Sequence, residues 1–351
     1  MYEFHKLKIK NIEQETKDAV VWTLDVPEHE KEVFKWKAGQ HLTFKYDFNG
    51  EELRRSYSIL SPTDGDELKV LIKKVDQGRF SEPAQTQYQI GQTVEVMPPI
   101  GNFILSPENN SNYVLIAAGS GITPILSMVY EVLNQSNSHV NLYYGNGTVE
   151  GTLLKKQLTD LKDKFAERLS VSYFLSREPI DIDLYSGRID ADKINKIYHK
   201  ELKELNISGY YLCGPGEMIT SVSTALKENG VDTRSIHSEF FLSEDQVIRD
   251  SSEKASSTDS GVSVTIDGVT SRYDIKQGDE KTLLDAALDN GINMPYSCKA
   301  GVCATCRCKL VEGEVEMIEN YSLEDWELEQ NYILSCQSIP KTNKIVIDYD
   351  S

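Results

Sequence analysis

Four of the six cysteines fall between Cys298 and Cys308, in the string SCKAGVCATCRC, and another follows at Cys336. Cys298, Cys303, Cys306 and Cys336 have the spacing C-x4-C-x2-C-x29-C, an arrangement that holds a [2Fe–2S] cluster. Two irons bridged by two sulfides need four thiolates. Ala300, Gly301, Ala304 and Thr305 are small enough to let the backbone wrap closely and aim N–H groups at the sulfurs, which stabilises the reduced, more negative cluster. A structural zinc is the competing reading, but zinc sites usually bring paired C-x2-C knuckles. Here only Cys303 and Cys306 have that form, and no His is nearby. Cys308 lies two residues past a ligand, so on an extended chain its side chain shares that ligand's face, and it reads as a non-ligand thiol near the cluster.

The rest of the chain is too long for one core. At 351 residues two or three domains are expected, and 39% apolar with 26% charged residues excludes both a disordered and a fibrous chain. A formal charge of −18 makes nucleic acid a poor partner. Residues 259–351 carry 17 Asp/Glu against 8 Lys/Arg, so the C-terminal quarter is the acidic end. The start, MYEFHK, has no apolar run behind a basic segment, so no secretory signal is expected. The longest uncharged stretch, Asn109 to Tyr130, contains Gly119, Gly121 and Pro124 and reads as strand, glycine turn and helix, with no membrane insertion. Cytoplasm is the expected location, where cysteines serve as thiols, metal ligands or catalysts.

The texture changes twice along the chain. Val20–Val26, His41–Tyr46, Ser56–Leu60, Leu68–Val75 and Thr93–Met97 are short β-type runs separated by Gly, Pro, Asn and Asp, which predicts an antiparallel β-barrel over residues 1–105. Over 106–242 apolar runs (Tyr113–Ala118, Val140–Tyr144, Leu169–Leu175, Gly209–Cys213) alternate with helical stretches (Ile122–Leu133, Leu153–Phe165, Ala191–Leu205, Glu217–Asn229). This predicts an α/β domain with a parallel sheet. Residues 243–260 (SEDQVIRDSSEKASSTDS) are polar and Ser-rich and suit a flexible tether. Beyond it, Val262, Val264 and Ile266 alternate and Asp267-Gly268 signals a hairpin.

Residues 261–351 resemble a plant-type ferredoxin domain, a β-grasp α+β fold, with Asp285-Ala286-Ala287-Leu288 on the helix before the cluster loop. The resemblance implies that Cys298 and Cys303 hold the iron nearer solvent, and Cys306 and Cys336 the inner one. It also implies a potential near roughly −400 mV.

Arg55-Ser56-Tyr57-Ser58 opens a strand in the first domain. With Gly39-Gln40-His41, Gly78-Arg79-Phe80-Ser81 and Pro99-Ile100-Gly101-Asn102-Phe103, it resembles the flavin domain of the ferredoxin–NADP reductase superfamily. The residue types suit the chemistry: Arg clamps a diphosphate bidentately, a Tyr ring stacks on a flavin, and a Ser hydroxyl hydrogen-bonds its edge. The resemblance assigns those roles to Arg55, Tyr57 and Ser58, with backbone N–H groups of Gly78, Arg79, Phe80 and Ser81 approaching the diphosphate. FAD is expected, with FMN the alternative.

Gly119-Ser120-Gly121-Ile122-Thr123-Pro124 follows a strand and opens a helix, where glycines let the backbone approach a diphosphate at the helix N-terminus. It is similar to the superfamily's G-x-G-x-x-P nicotinamide motif, in which Thr123 also lies beside the flavin. Cys213-Gly214-Pro215-Gly216-Glu217-Met218 matches the superfamily's C-G-P turn, and Glu239-Phe240-Phe241 its E-x-F segment, which implies Glu239 and Phe241 close to the flavin. Ser176-Arg177 matches a pair that binds the 2′-phosphate in NADP-dependent relatives, so NADPH is expected, with NADH as the alternative. The residues implied at the reacting centre are Tyr57, Ser58, Thr123, Cys213 and Glu239.

Reductase, tether and ferredoxin in that order resemble the reductase subunits of phenylacetyl-CoA epoxidase-type multicomponent monooxygenases. The implied activity is NAD(P)H oxidation with electrons passed through FAD and the cluster to a separate oxygenase, whose basic docking face would meet the acidic ferredoxin. A fatty-acid desaturase or other hydroxylase as client, a free-standing diaphorase, and a redox-sensing binding protein are the alternatives.

Overall fold

Short alternating runs in the first hundred positions close into an antiparallel barrel in the computed structural model, which describes residues 3–241, 256 and 259–351. The strands β1 (His5–Thr16), β2 (Ala19–Asp25), β3 (His41–Phe48), β4 (Glu51–Ser58), β5 (Leu68–Lys73) and β6 (Thr93–Ile100) lie in the order β4-β3-β6-β1-β2-β5. An Ile59–Val70 bridge joins the two ends of that order. A short helix, α1 (Ser81–Thr86), sits between β5 and β6. The sequence reading omits β1. Lys6, Lys8 and Lys10 form its outer face and mask the alternation of Leu7 and Ile9, both fully buried.

β2 is buried along nearly its whole length because its two faces feed different cores. Val20, Trp22 and Leu24 fill the barrel with Leu7, Ile9 and Phe44. Ala19 and Val21 join Leu71, Leu60 and Phe103 in a cluster that continues into the following domain. Each such buried aliphatic side chain contributes about 1.5–3 kcal/mol, so the shared core holds residues Phe4–Phe241 together as one compact unit.

In the following domain β7 (Asn112–Ala118), α2 (Ile122–Gln135), β8 (His139–Asn146), α3 (Lys155–Lys164) and β9 (Leu169–Leu175) alternate. They are succeeded by α4 (Ala191–Ile197), β10 (Ile207–Gly214), α5 (Gly216–Glu228) and β11 (Ile236–Phe240). All five strands are parallel, in the order β11-β10-β7-β8-β9. The winding direction reverses between β7 and β10, which opens a crevice at the strands' C-terminal ends, the place where such sheets bind ligands. The long uncharged stretch is β7, its glycine turn and α2, whose residues from Ile122 to Val129 are all buried in the core. Among the described residues no helix is long and apolar enough to cross a membrane. The helix predicted over Ala191–Leu205 ends sooner, at Ile197, and passes into a wider turn through Leu202. Lys203 N donates to Tyr198 O at 2.9 Å across that wider turn, and Leu202 joins Ile197 in the same core.

The C-terminal unit contains β12 (Ser260–Ile266), β13 (Val269–Ile275), α6 (Leu283–Asp289), β14 (Arg307–Glu312) and β15 (Val315–Met317). After these come α7 (Asp325–Glu329), β16 (Tyr332–Leu334), β17 (Ser338–Pro340) and β18 (Lys344–Asp348). Its main sheet is mixed, in the order β13-β12-β18-β14-β16, with β12 and β18 parallel. α6 buries Leu283, Leu284, Ala286 and Ala287 in the same core as Val262 and Ile275. The Asp267-Gly268 hairpin stands where the sequence predicts it, and both its N–H groups donate to the Asp350 carboxylate at 2.8 Å. Apart from Ser256, Asp259 and Ser260, the expected tether lies outside the described residues. Ser256 N donates to Asp279 O at 2.9 Å, Asp259 accepts from Gln277 N at 2.9 Å, and Ser260 already belongs to β12. The C-terminal unit therefore begins before Gly261.

Candidate functional site

β3 and β4 pair with Leu42 opposite Tyr57 and Phe44 opposite Arg55. Alternation along β4 decides between two neighbouring arginines. Arg54 is 8% exposed and pairs with Glu52 at 2.8 Å, while Arg55 lies on the strand face of Tyr57. The Tyr57 ring meets Phe44 edge-on at 5.9 Å and Phe80 at 5.6 Å. Phe80 itself is buried among Trp22, Phe44, Tyr46 and Tyr88, so its side chain anchors the 78–81 turn and only its backbone can meet a ligand. Ser81 Oγ accepts from Val75 N at 3.0 Å, so this hydroxyl also serves the turn. A side chain at Gly78 would overlap that oxygen.

The Arg55 guanidinium is half-buried, and desolvation lowers its proton affinity. An anion placed against Arg55 and Arg79 offsets that cost. The hydroxyl of Tyr46, in the field of the same two guanidiniums, is buried without a hydrogen-bond partner among the described residues. These groups fit a bound phosphate, and the sequence reading missed Tyr46. Ser58 is buried and faces His41 across the β3–β4 pair. Enclosure lowers the His41 pKa to about 4, so the imidazole is neutral at pH 7.

The glycine turn after β7 and the Gly214-Pro215 turn after β10 flank the crevice. Gly121 packs on the Cys213 carbonyl so closely that no Cβ fits, and Phe241 N donates to Gly214 O at 3.0 Å. The buried Thr123 hydroxyl donates to Ser120 O at 3.0 Å and so braces the turn. Pro124 falls in the first turn of α2, where a missing N–H costs nothing. Neither α2 nor α5 has a side-chain N-cap, which leaves N–H groups and the positive dipole end available to an anion. Lys73, at the end of β5, brings its ammonium 4.0 Å from where a Cβ on Gly119 would stand. Nothing local in the sequence marks this cation at the crevice lip.

Cys213 lies between Ala117 and Glu239 in the parallel ladder. Burial and the Glu239 carboxylate hold its thiol protonated. A neutral, enclosed thiol can border a ligand but is no nucleophile. Met218 packs behind Gly214, and Phe241 is half-buried against the shared core. Ser176 and Arg177 are exposed at the end of β9. They are held there by Ser176 N donating to Asn146 O at 3.0 Å and Arg177 N to Gly147 O at 2.8 Å. Two strand spacings, about 10 Å, separate them from β7.

In the C-terminal unit the four expected ligands meet as two pairs, Cys298 hydrogen-bonded with Cys303 and Cys306 with Cys336. Among the described residues no three His, Cys, Asp or Glu side chains converge as a single ion would require. Two thiol pairs fit a two-iron group. Positive φ at Lys299 (53°), Gly301 (74°) and Ala304 (51°) coils the loop. Ala300 N donates to Cys298 Sγ at 3.4 Å, and Thr305 Oγ1 lies 3.1 Å from Cys303 Sγ. A side chain on Gly301 would press on the Glu319 carbonyl. Cys306 and Cys336 are 2% and 1% exposed, against 8% for Cys303 and more for Cys298. Gln337, missed from the sequence, links the last ligand to the loop by donating to Lys299 O at 2.9 Å. Cys308 is buried in the same core and hydrogen-bonded to Tyr349, and burial pushes its thiol up.

Three family models match the chain: an oxidoreductase FAD-binding domain over residues 6–104, an oxidoreductase NAD-binding domain over 115–224, and a 2Fe-2S iron-sulfur cluster binding domain over 264–341. The chain is 40% identical to a subunit of the 1,2-phenylacetyl-CoA epoxidase of Escherichia coli (strain K12), over 100% of its own length and 99% of that protein's. It is 31% identical to the ferredoxin reductase component of 3-ketosteroid-9-alpha-monooxygenase of Rhodococcus rhodochrous, covering 98% and 96% of the two chains. Among solved structures it matches phthalate dioxygenase reductase with a TM-score of 0.61 at 24% identity, covering 98% of each chain. It also matches an intact type IV self-sufficient cytochrome P450 monooxygenase with a TM-score of 0.70 at 21% identity, covering 98% of this chain and 41% of that one. At those identities the two structures support the fold alone.

Proposed function

This chain belongs to the family of oxygenase reductase components built from FAD-binding, NAD-binding and [2Fe–2S] domains, and on that premise we propose that it draws electrons from NADPH and delivers them singly to a phenylacetyl-CoA epoxidase-type oxygenase. The observation that carries this reading is the 40% identity maintained over the whole chain. The bound groups supply exchange of an electron pair for single electrons at the flavin and one-electron conduction at the cluster. Everything else falls to side chains and backbone.

Arg55, Ser56, Arg79 and the 78–81 backbone take the flavin diphosphate region, the Tyr57 ring lies along the flavin, and the Ser58 hydroxyl meets its edge. The turns at Gly119–Pro124 and Gly214–Met218 take the dinucleotide, with Lys73 as a further cation. Ser176 and Arg177 receive the 2′-phosphate. Thr123, Glu239 and Phe241 lie beside the flavin, and Cys213 in its turn borders the nicotinamide. Cys298, Cys303, Cys306 and Cys336 hold the irons. The domains run 1–105, 106–242 and 261–351, the last extended by Ser256, Asp259 and Ser260, with the rest of 243–260 as the join.

The acidic ferredoxin unit meets a basic face on the oxygenase, so transfer slows as salt rises. Cysteines that serve as thiols and metal ligands, with no disulfide among the described residues, suit a cytoplasmic protein. Anaerobic stopped-flow reduction, followed at flavin and iron–sulfur wavelengths, tests the proposal. Reduction by NADPH should bleach the flavin first and the cluster after it. A spectrum without an iron–sulfur shoulder would refute the relay, and faster reduction by NADH would reassign the nucleotide.

A further inference from the structure

None of the roles above uses the hydroxyl of Tyr144, and of the 147–154 loop that follows β8 they use only the Gly147 carbonyl. Tyr144 is fully buried and sits beside Ala117 near the C-terminal end of the sheet. Its Oη donates to Gly119 O at 3.1 Å and stands 3.2 Å from Leu153 O. One acceptor belongs to the glycine turn and the other to the 147–154 loop.

Two more elements grip the same loop. Leu154 N donates to Glu15 Oε1 of the barrel strand β1 at 2.7 Å, and Val149 N donates to Glu178 Oε2, beside Arg177, at 2.9 Å. Leu154 has φ of 56°, a left-handed conformation that a non-glycine residue keeps only where its surroundings impose it. Burial, with the Glu15 carboxylate adding to it, raises the Tyr144 pKa, so the phenol remains a donor at neutral pH.

We infer that Tyr144 is a positioning residue for the pyridine dinucleotide: its hydroxyl ties the Gly119–Gly121 turn to the 147–154 loop and presets the turn's N–H groups before the nucleotide arrives. The inference rests on the dinucleotide reading of the crevice. Gly119 adopts φ of 54° and has no side chain to restrict it, so the turn depends on its hydrogen bonds for its shape. Without the hydroxyl the buried Leu153 carbonyl loses its donor, Gly119 O keeps the bond from Ile122 N, and the turn relaxes toward other partners. Affinity then falls because the ordering cost moves to the binding step.

The test uses the full-length, flavin-loaded protein and its Tyr144→Phe variant. Dissociation constants for NADP+ and NAD+ are read by calorimetry, with KM, kcat, flavin content and melting temperature alongside. The variant should bind its preferred oxidised dinucleotide about tenfold more weakly. KM should rise in step, while saturated kcat and flavin content stay within about twofold. An unchanged dissociation constant overturns the inference, and so does a joint fall of kcat, flavin content and affinity. If Tyr144→Phe does not fold, Glu15→Ala decides: about threefold weaker binding supports the inference, and unchanged binding overturns it. A wild-type protein that binds neither dinucleotide sinks the reading of the crevice. A wild type that binds no better than its variant sinks only the role of Tyr144.

Discussion

A methyl group at Gly121 would meet the Cys213 carbonyl and the Gly214 nitrogen, backbone atoms that cannot swing aside. Gly121→Ala must therefore push the glycine turn away from β10. Steady-state kinetics should show KM for NADPH raised at least about tenfold with flavin content retained, and urea unfolding should show about 1–3 kcal/mol of lost stability. An unchanged KM would place the dinucleotide elsewhere. His41 acts through pH. Its folded pKa of about 4 lies below the 6.5 of an unfolded imidazole. Its contribution is therefore complete above pH 6.5 and is lost as pH falls through the folded value, with about 2 kcal/mol gone at pH 5. Between pH 7 and 5 the urea midpoint of His41→Gln should shift less than that of the wild type. Equal shifts would assign the loss to other groups.

α6 links stability to the cluster loop. Thr282 Oγ1 accepts from Asp285 N at 3.1 Å at its N-terminus, and the Asp285 carboxylate reaches Lys299 of the cysteine loop at 3.0 Å. Removing such a cap costs about 1 kcal/mol, or about 4–8 °C for a domain of this size. In Thr282→Ala, bleaching of the iron–sulfur absorbance on heating should move down by that amount while flavin release stays put. A shift in flavin release as well would mean that the two units do not unfold separately. β1 shows how a strand can hide from a sequence reading. Its apolar positions are right, but lysines between them and few β-branched residues give it a weak strand signature, and only pairing with β2 and β6 makes it a strand.

For the whole molecule the consequence is a division of labour between two compact units, one with the FAD-binding and NAD-binding domains and the other with the 2Fe-2S domain. A Cys336→Ser variant removes one of the four proposed cluster ligands, so it should keep flavin reduction by the dinucleotide and ferricyanide turnover but lose electron delivery to a one-electron protein acceptor. Delivery at the wild-type rate would take the cluster off the route.

Local chemistry was readable directly: cysteine spacing, glycine turns next to strands, and the R-x-Y-S string each demand certain residue types at short separations, and short separations survive in one dimension. Tertiary structure alone decided which of Arg54 and Arg55 shares a face with Tyr57, that Phe80 turns into the barrel, that the Cys213 thiol is kept neutral, and that Lys73, Tyr46, Gln337 and Tyr144 stand at the sites. The reason is physical: burial, charge and hydrogen-bond partnership depend on neighbours tens of residues away, and only the packed sheets bring those neighbours together.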